Sequence, residues 1–445
     1  MEKKMKTRKD GLVLRTASRE DIPRIAEFNE TLHPDPGEPE IIGKMLHTWT
    51  MDLGNGKHPT TDAHHFTLVE DPANDNKLVS TMCVIPETWV YAGIPFKVGR
   101  IELVGTLPEY RRRGLIREQF NWHHRWCQEN GYLVQTITGI PHYYRQFGYE
   151  MSLNLSGAIQ GGETSLPLKH EGEEAFTFRS AEVEDIPFLM AVEEKAALRS
   201  VTSCFRSEQE WIYEIAERSK MSIYYRKIDI ILDQETQPVG FLVYPNDLWG
   251  KDKTLNRFEV IAGVNWQTVT PTVLRHIWRA GQANAAKDDK LVCTGVRFSF
   301  GTSHPAYAIA NHWLPIDSPP YSWYVRVGNL PEFIKIIAPI LEKRLENSVL
   351  CDHSGELLIN FYTDGLKIVF DNGKINLVEQ WRPKNNFEKG HACLPGTTFY
   401  HLLFGHRDID EIHHLYTDAS VNKSMKALLM TLFPKQITED IWALA

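Results

Sequence analysis

Short apolar runs closed by turn residues alternate along the chain with longer stretches of helical spacing, which predicts a mixture of strands and amphipathic helices. Leu12, Val13 and Leu14 read as a strand leading into a helix, with Ser18 and Asp21 in capping-box spacing at its start. Strands are predicted over 66–70 and 78–85, joined by the turn-rich segment 71–76 (DPANDN) as a hairpin. Residues 98–106 alternate, with Ile101 and Leu103 among the apolar positions. The basic segment 110–115 (YRRRGL) then opens a helix over 115–129, on which Ile116, Phe120 and Cys127 share a stripe. Asn130-Gly131 is its stop signal, and 133–138 is the next strand.

One pattern occurs twice: Arg15-x-Ala17-x-x-Glu20-Asp21-Ile22-Pro23 returns as Arg179-x-Ala181-x-x-Glu184-Asp185-Ile186-Pro187, six identities at one offset. Each copy follows a β-like stretch, the second at Phe176, Thr177 and Phe178, so units are expected to begin near residues 11 and 175. The polar stretch 160–174 separates them, and a further boundary is expected near Asn329-Leu330-Pro331. Beyond it a helix over 332–346 precedes strands at 357–362, 366–370 and 374–379, an α+β pattern with turns at Thr363-Asp364-Gly365 and Asp371-Asn372-Gly373.

At 445 residues the chain is long enough for two or more cores, given about 150 residues per domain. Hydrophobic residues at 42% and charged residues at 24% exclude a disordered chain, and a net charge of −8 argues against nucleic acid and for a cationic or amine substrate. The six cysteines form no CxxC and no Cys/His ligand spacing, so buried free thiols are expected and no metal. The basic N-terminus lacks an apolar follow-on and no apolar run reaches 18 residues, so a cytoplasmic protein without membrane contact is expected.

Phosphate-binding glycine loops, HExxH and GxSxG are absent. What remains is the turn 108–117, where arginines and a glycine precede a helix N-terminus, an arrangement suited to cradling a pyrophosphate. Basic turns are more often merely solvated. Thirty residues on, Tyr143-Tyr144-Arg145-Gln146-Phe147-Gly148-Tyr149 follows a strand; a tyrosine there commonly packs, but a phenol can also return a proton to a departing thiolate. His123-His124 and His413-His414 point apart on a helix and read as satisfied or solvated side chains. Trp122 and Trp126 read as core.

These residues together resemble the GCN5-related N-acetyltransferase superfamily. Its acetyl-CoA motif, Arg/Gln-x-x-Gly-x-Gly/Ala, is matched by Arg111-Arg112-Arg113-Gly114-Leu115-Ile116 except at Ile116, and its Tyr-x-x-x-Gly-aromatic motif by Tyr144 to Tyr149. With the repeat at Arg179 and the tail segments 394–405 (LPGTTFYHLLFG) and 432–435 (LFPK), the chain looks nearly end to end like the enhanced-intracellular-survival proteins. That resemblance implies an α/β (α+β) chain: a catalytic acetyltransferase domain over 1–160 and a degenerate copy over 161–330, both with mixed central sheets, then a sterol-carrier-like domain over 331–445. The second copy agrees, since Val264–Pro271 lacks the arginine-glycine turn and Pro305-Ala306-Tyr307-Ala308 lacks the tyrosine motif.

The resemblance also implies roles. The backbone of Val104, Gly105 and Thr106 would hold the thioester and pantetheine arm, and Arg112, Arg113, Gly114, Leu115, Ile116 and Arg117 the pyrophosphate. Gly139 and Ile140 would line the cofactor, Tyr144 would be the general acid, and the C-terminal carboxylate of Ala445 the base, although a family enzyme ends in an aromatic residue there and Ala445 departs from it. The implied activity is acetyl-CoA-dependent N-acetylation of a primary amine on an aminoglycoside-like or polyamine acceptor, in a homo-oligomer that is a hexamer by family analogy. The alternative is a catalytically degenerate binding protein whose third domain carries a hydrophobic ligand.

Overall fold

The duplicated motif builds the same local structure twice. The computed structural model describes residues 5–34, 40–169, 171–384, 390–437 and 441–443. In the first copy the carboxylate of Asp21 accepts from the Ser18 amide at 2.8 Å and from the Arg15 guanidinium at 2.7 Å. In the second, Asp185 accepts from the Glu182 amide at 2.8 Å and from Arg179 at 2.6 Å. The aspartate therefore closes a capping box and anchors the preceding strand at once, and proline at the second helical position fits a place where no intrahelical donor is needed. Burial alone would raise Asp21, but Arg15 and the Ser18 amide hold it well below the usual carboxylate range.

The first sheet contains β1 (Met5–Thr7), β2 (Val13–Thr16), β3 (Phe66–Asp71), β4 (Lys77–Tyr91), β5 (Ile94–Thr106), β6 (Val134–Ile137) and β7 (Glu150–Leu155). Its pairings are antiparallel except β5 with β6, which is parallel. Strand alternation sorts the core onto two faces. Cys83, Ile85 and Leu103 meet helices α1 (Ile22–Leu32) and α2 (Glu40–Gly54) through Ile25, Trp49 and Leu53. Met82, Val84 and Ile101 meet helix α3 (Leu115–Glu129) through Phe120 and Cys127.

Two strands are exchanged between the halves. The strand Tyr321–Val327 lies between β6 and β7, antiparallel to both. In return β8 (Ala158–Gly162) lies between the strands Gly295–Phe298 and Ile316–Ser318 of a second sheet. Each sheet thus gains a strand from the other half of the chain, which covers backbone donors and acceptors that would otherwise form bare edges. The four antiparallel strands Thr177–Ser180, Arg226–Leu232, Pro238–Pro245 and Arg257–Val260 form a third sheet beside the helix Ile186–Ala197.

After residue 329 comes the helix Leu330–Glu346 and a five-stranded sheet of Gly355–Asn360, Gly365–Asp371, Lys374–Trp381, Ala392–Cys393 and Ser420–Val421. Its core runs on into the turn end of the β4–β5 hairpin: Phe333, Ile337 and Leu357 share one cluster with Trp89, Tyr91 and Phe96. The chain is a mixed α/β protein with several mixed sheets, as the sequence led us to expect. Among the described residues no helix is long and apolar enough to cross a membrane.

Candidate active site

β5 and β6 pair over only three residues, from Val98 opposite Val134 to Arg100 opposite Thr136, and then part. Six residues of β5, up to Thr106, continue beyond the last pair, an edge of about 20 Å facing a gap. A bulge lies at the start of this edge: the register with β4 shifts between Cys83–Glu102 and Thr81–Gly105, and Leu103 takes φ +53. Val104, Gly105 and Thr106 therefore lie on a bent strand whose backbone has no β6 partner. Gly105 is required by close approach, since a Cβ there would stand 2.5 Å from Leu32 Cδ2 and 3.3 Å from Phe28 Cε1.

The strand runs into a tight turn. Pro108–Tyr110 forms a single 3₁₀ turn, Arg112 adopts φ +62, and Gly114, at φ +78, caps the first turn of α3. A Cβ on Gly114 would meet nothing within 4 Å, so the space before the helix is open. The first amides of α3, at Leu115, Ile116 and Arg117, have no intrahelical acceptor by geometry and carry the positive end of the helix dipole. Arg112 and Arg113 are exposed, and Arg113 lies over the Tyr110 ring at 4.8 Å. Neither has a carboxylate partner among the described residues. The turn is braced from behind, where Arg8 donates to the Arg113 carbonyl at 2.7 Å and pairs with Glu118 at 2.6 Å. These residues fit a pyrophosphate: free amides, uncommitted guanidinium groups and room for an anion. Ile116, which departs from the family pattern, is half-buried against the cluster containing Phe120 and Tyr144.

Tyr144 stands across the gap in a 3₁₀ segment, Tyr143–Phe147, bounded by left-handed His142 and Gly148. Its ring is buried among Phe120, Tyr143 and Tyr324, the last at 5.3 Å between centroids. Its hydroxyl lies 3.7 Å from where a Cβ on Gly139 would be, at the mouth just past β6. Burial first, then the charge of Glu102, pushes the phenol well above its ordinary value, against a bond from the Ile140 amide. Tyr144 thus keeps its proton through the neutral range. Arg117 ties the two motifs together, donating to Gln146 at 2.9 Å and lying over Phe147 at 5.0 Å. The structure thus places Val104–Thr106, Arg112–Arg117, Gly139, Ile140 and Tyr144 around one cleft. Ala445 lies outside the described residues.

Several contributors were not visible in the sequence pattern. Beneath Gly105 and Thr106, Ser80 Oγ donates to the Gly105 carbonyl and meets Thr106 Oγ1, each at 2.7 Å. Gln119 donates to Ser80 at 2.6 Å and accepts from Thr67 at 3.0 Å, and Thr67 meets His123 at 2.9 Å. This buried string fixes the start of α3 against the end of β5. Glu102, opposite Cys83 on the α1/α2 face, is held by Arg100 Nε at 2.8 Å; Arg100 also reaches Glu87 at 3.2 Å. An Arg-Ile-Glu-Leu run inside an otherwise apolar strand was the signal for this pair. His123 itself is fully buried and held down to about 3 by burial, as a neutral core histidine. No group of metal-ligating side chains occurs among the described residues. Five cysteines are buried as expected, but Cys351 is exposed, because it lies in the turn after the helix Leu330–Glu346.

Residues 13–152 match the model of the acetyltransferase (GNAT) domain. No curated protein sequence matches the chain. Among solved structures, a probable N-acyltransferase from Enterococcus faecalis aligns over 97% of this chain and 98% of its own, with TM-score 0.63 and 10% identity. A GCN5-related N-acetyltransferase from Anabaena variabilis aligns over 97% and 100%, with TM-score 0.63 and 13% identity. Eis1 from Mycobacterium abscessus aligns over 98% and 99%, with TM-score 0.55 and 12% identity. At these identities the likeness is one of fold, extending nearly end to end. The match at residues 13–152 identifies an acetyltransferase (GNAT) domain within the chain and supports an acetyl-CoA-dependent acyltransferase.

Proposed function

We propose that the protein acetylates a primary amine of a cationic small molecule, aminoglycoside-like or polyamine, by direct attack on acetyl-CoA. The carrying observation is the parting of β5 from β6 with the buried Tyr144 hydroxyl at its mouth and the open N-terminus of α3 beyond it. In this reading the pyrophosphate lies on the amides of Gly114–Arg117 with Arg112 and Arg113 beside it. The pantetheine arm runs along Val104–Thr106, past Gly139 and Ile140.

The neutral amine attacks the acetyl carbonyl, forming the C–N bond, and strand amides stabilise the developing oxyanion. The carbon–sulfur bond then breaks as Tyr144 gives its proton to the thiolate. The amine proton passes to a carboxylate. Among the described residues Glu102 is suited to receive it, because its charge already acts on Tyr144 and Arg100 fixes its position. The terminal carboxylate of Ala445 is the family alternative. No covalent enzyme intermediate is required, in keeping with buried, unactivated cysteines such as Cys127, which burial pushes up to about 12.

We assign the catalytic unit to residues 1–160, a degenerate copy to 161–330 and a sterol-carrier-like scaffold to 331–445. The test is release of free coenzyme A thiol by the full chain with acetyl-CoA and a panel including spermidine and aminoglycosides. Thiol release above the amine-free rate supports the reading. No release with any amine, together with no saturable acetyl-CoA binding, refutes it.

A further inference from the structure

A polar cavity of about 320 Å³ opens on the α3 face of the first sheet, between the C-terminal half of α3 and the exchanged strand Tyr321–Val327. Arg125 and Gln128 line it from α3, Gln135 from β6, and Arg326 and Asn329 from the exchanged strand and the loop after it. No carboxylate is among its lining residues. This is unusual in a chain carrying eight more acidic than basic residues.

Arg326 is the telling group. It is half-buried, and its Nη1 donates to the uncharged Gln135 amide oxygen at 2.5 Å. Neither Arg326 nor Arg125 has a carboxylate partner among the described residues. A guanidinium withdrawn from water costs free energy unless an anion compensates it, so half-buried arginines are normally paired. The charge of Arg326 reaches neighbouring groups. After burial it is the next influence holding His124 down to about 3, and it opposes the upward push of burial on Cys127 and Tyr149.

We propose that this cavity is a binding site for a small phosphate monoester, with the phosphate held between Arg326 and Arg125. Planar guanidinium groups suit bidentate contact with phosphate oxygens, and the amide side chains of Gln128 and Asn329 add donors. The volume is about ten times a water molecule's share of liquid water, which leaves room for a substituent beyond the oxyanion itself. The site is distinct from the cradle at Gly114–Arg117: Arg125 lies two helical turns further along α3, and Arg326 comes from the other half of the chain.

Isothermal titration of the full-length protein with glycerol 3-phosphate at constant ionic strength tests this, with glycerol as the uncharged control. Saturable binding of the phosphate but not of glycerol is expected. It should persist in an Arg112→Gln/Arg113→Gln variant, which weakens the other anion cradle, and fall at least tenfold in Arg326→Gln and in Arg125→Gln. Arg125 is exposed on a helix, so its replacement keeps the test valid even where Arg326→Gln disturbs the sheet. No saturable binding, or binding lost in the Arg112/Arg113 variant and untouched by Arg125→Gln, overturns the proposal.

Discussion

Replacing Tyr144 by phenylalanine removes one oxygen from a ring that is 3% exposed and leaves its packing intact. Its T-shaped contacts with Phe120 at 6.1 Å and Tyr324 at 5.3 Å are made by the ring, so the fold and the cleft should survive. On the proposed mechanism, what disappears is the proton for the departing thiolate. A positioned general acid contributes about 10²- to 10⁴-fold, or roughly 3–5 kcal/mol of transition-state stabilisation. We expect kcat to fall within that range while the Kd for acetyl-CoA, read by calorimetry, changes less than threefold. Because burial and Glu102 raise the phenol above its ordinary value, the wild type should show no loss of kcat assignable to Tyr144 between pH 7 and 9. Thiol release across that range measures both. A phenylalanine variant with at least a third of wild-type kcat would refute the assignment of Tyr144 as the acid.

Other perturbations separate the parts of the site. Arg112→Gln with Arg113→Gln should weaken acetyl-CoA binding about tenfold or more, with a steeper effect at low salt, because the lost contacts are electrostatic; equilibrium binding at two salt concentrations checks it. Gln119→Leu leaves hydroxyls of Ser80 and Thr67 short of a buried partner, at about 1–3 kcal/mol of stability by urea unfolding, and should raise KM for acetyl-CoA by loosening α3 against β5. Buried His65 and His123 and half-buried His124 are each held down to about 3, so the unfolded chain binds more protons below their ordinary value near 6.5. Their contribution is full above pH 6.5 and is lost as pH falls toward 3, at about 1.4 kcal/mol per pH unit each. Glu87, raised to about 7 by burial, opposes this between about pH 4.5 and 7. Urea midpoints should therefore drop from pH 7.5 to pH 5; an unchanged midpoint would contradict the neutral state of these histidines.

Local chemistry was readable in the sequence wherever neighbours along the chain decide the outcome. The capping spacing at Ser18–Asp21 fixed that helix start, and the helix predicted over 115–129 is Leu115–Glu129 in the structure. The hairpin around 71–76 is present too, although β4 runs on to Tyr91, six residues past the predicted end, because Trp89 and Tyr91 pack against the C-terminal part. The arginine-glycine turn and Tyr144 were legible as motifs. The strand exchange was not, because alternation marks a strand without naming its partner. Nothing in Ala158–Gly162 or Tyr321–Val327 announces that each completes the other half's sheet. The polar string from Thr106 through Ser80 and Gln119 to Thr67 was hidden for the same reason, since its members are far apart in sequence and single polar residues on strands carry no periodic signal.

The most direct measurement is a crystal structure of the protein with coenzyme A. Our account predicts the pyrophosphate on the amides of residues 114–117 and the sulfur within hydrogen-bonding reach of the Tyr144 hydroxyl, in the gap between β5 and β6. A cofactor bound outside that gap, or a sulfur turned away from Tyr144, would contradict it.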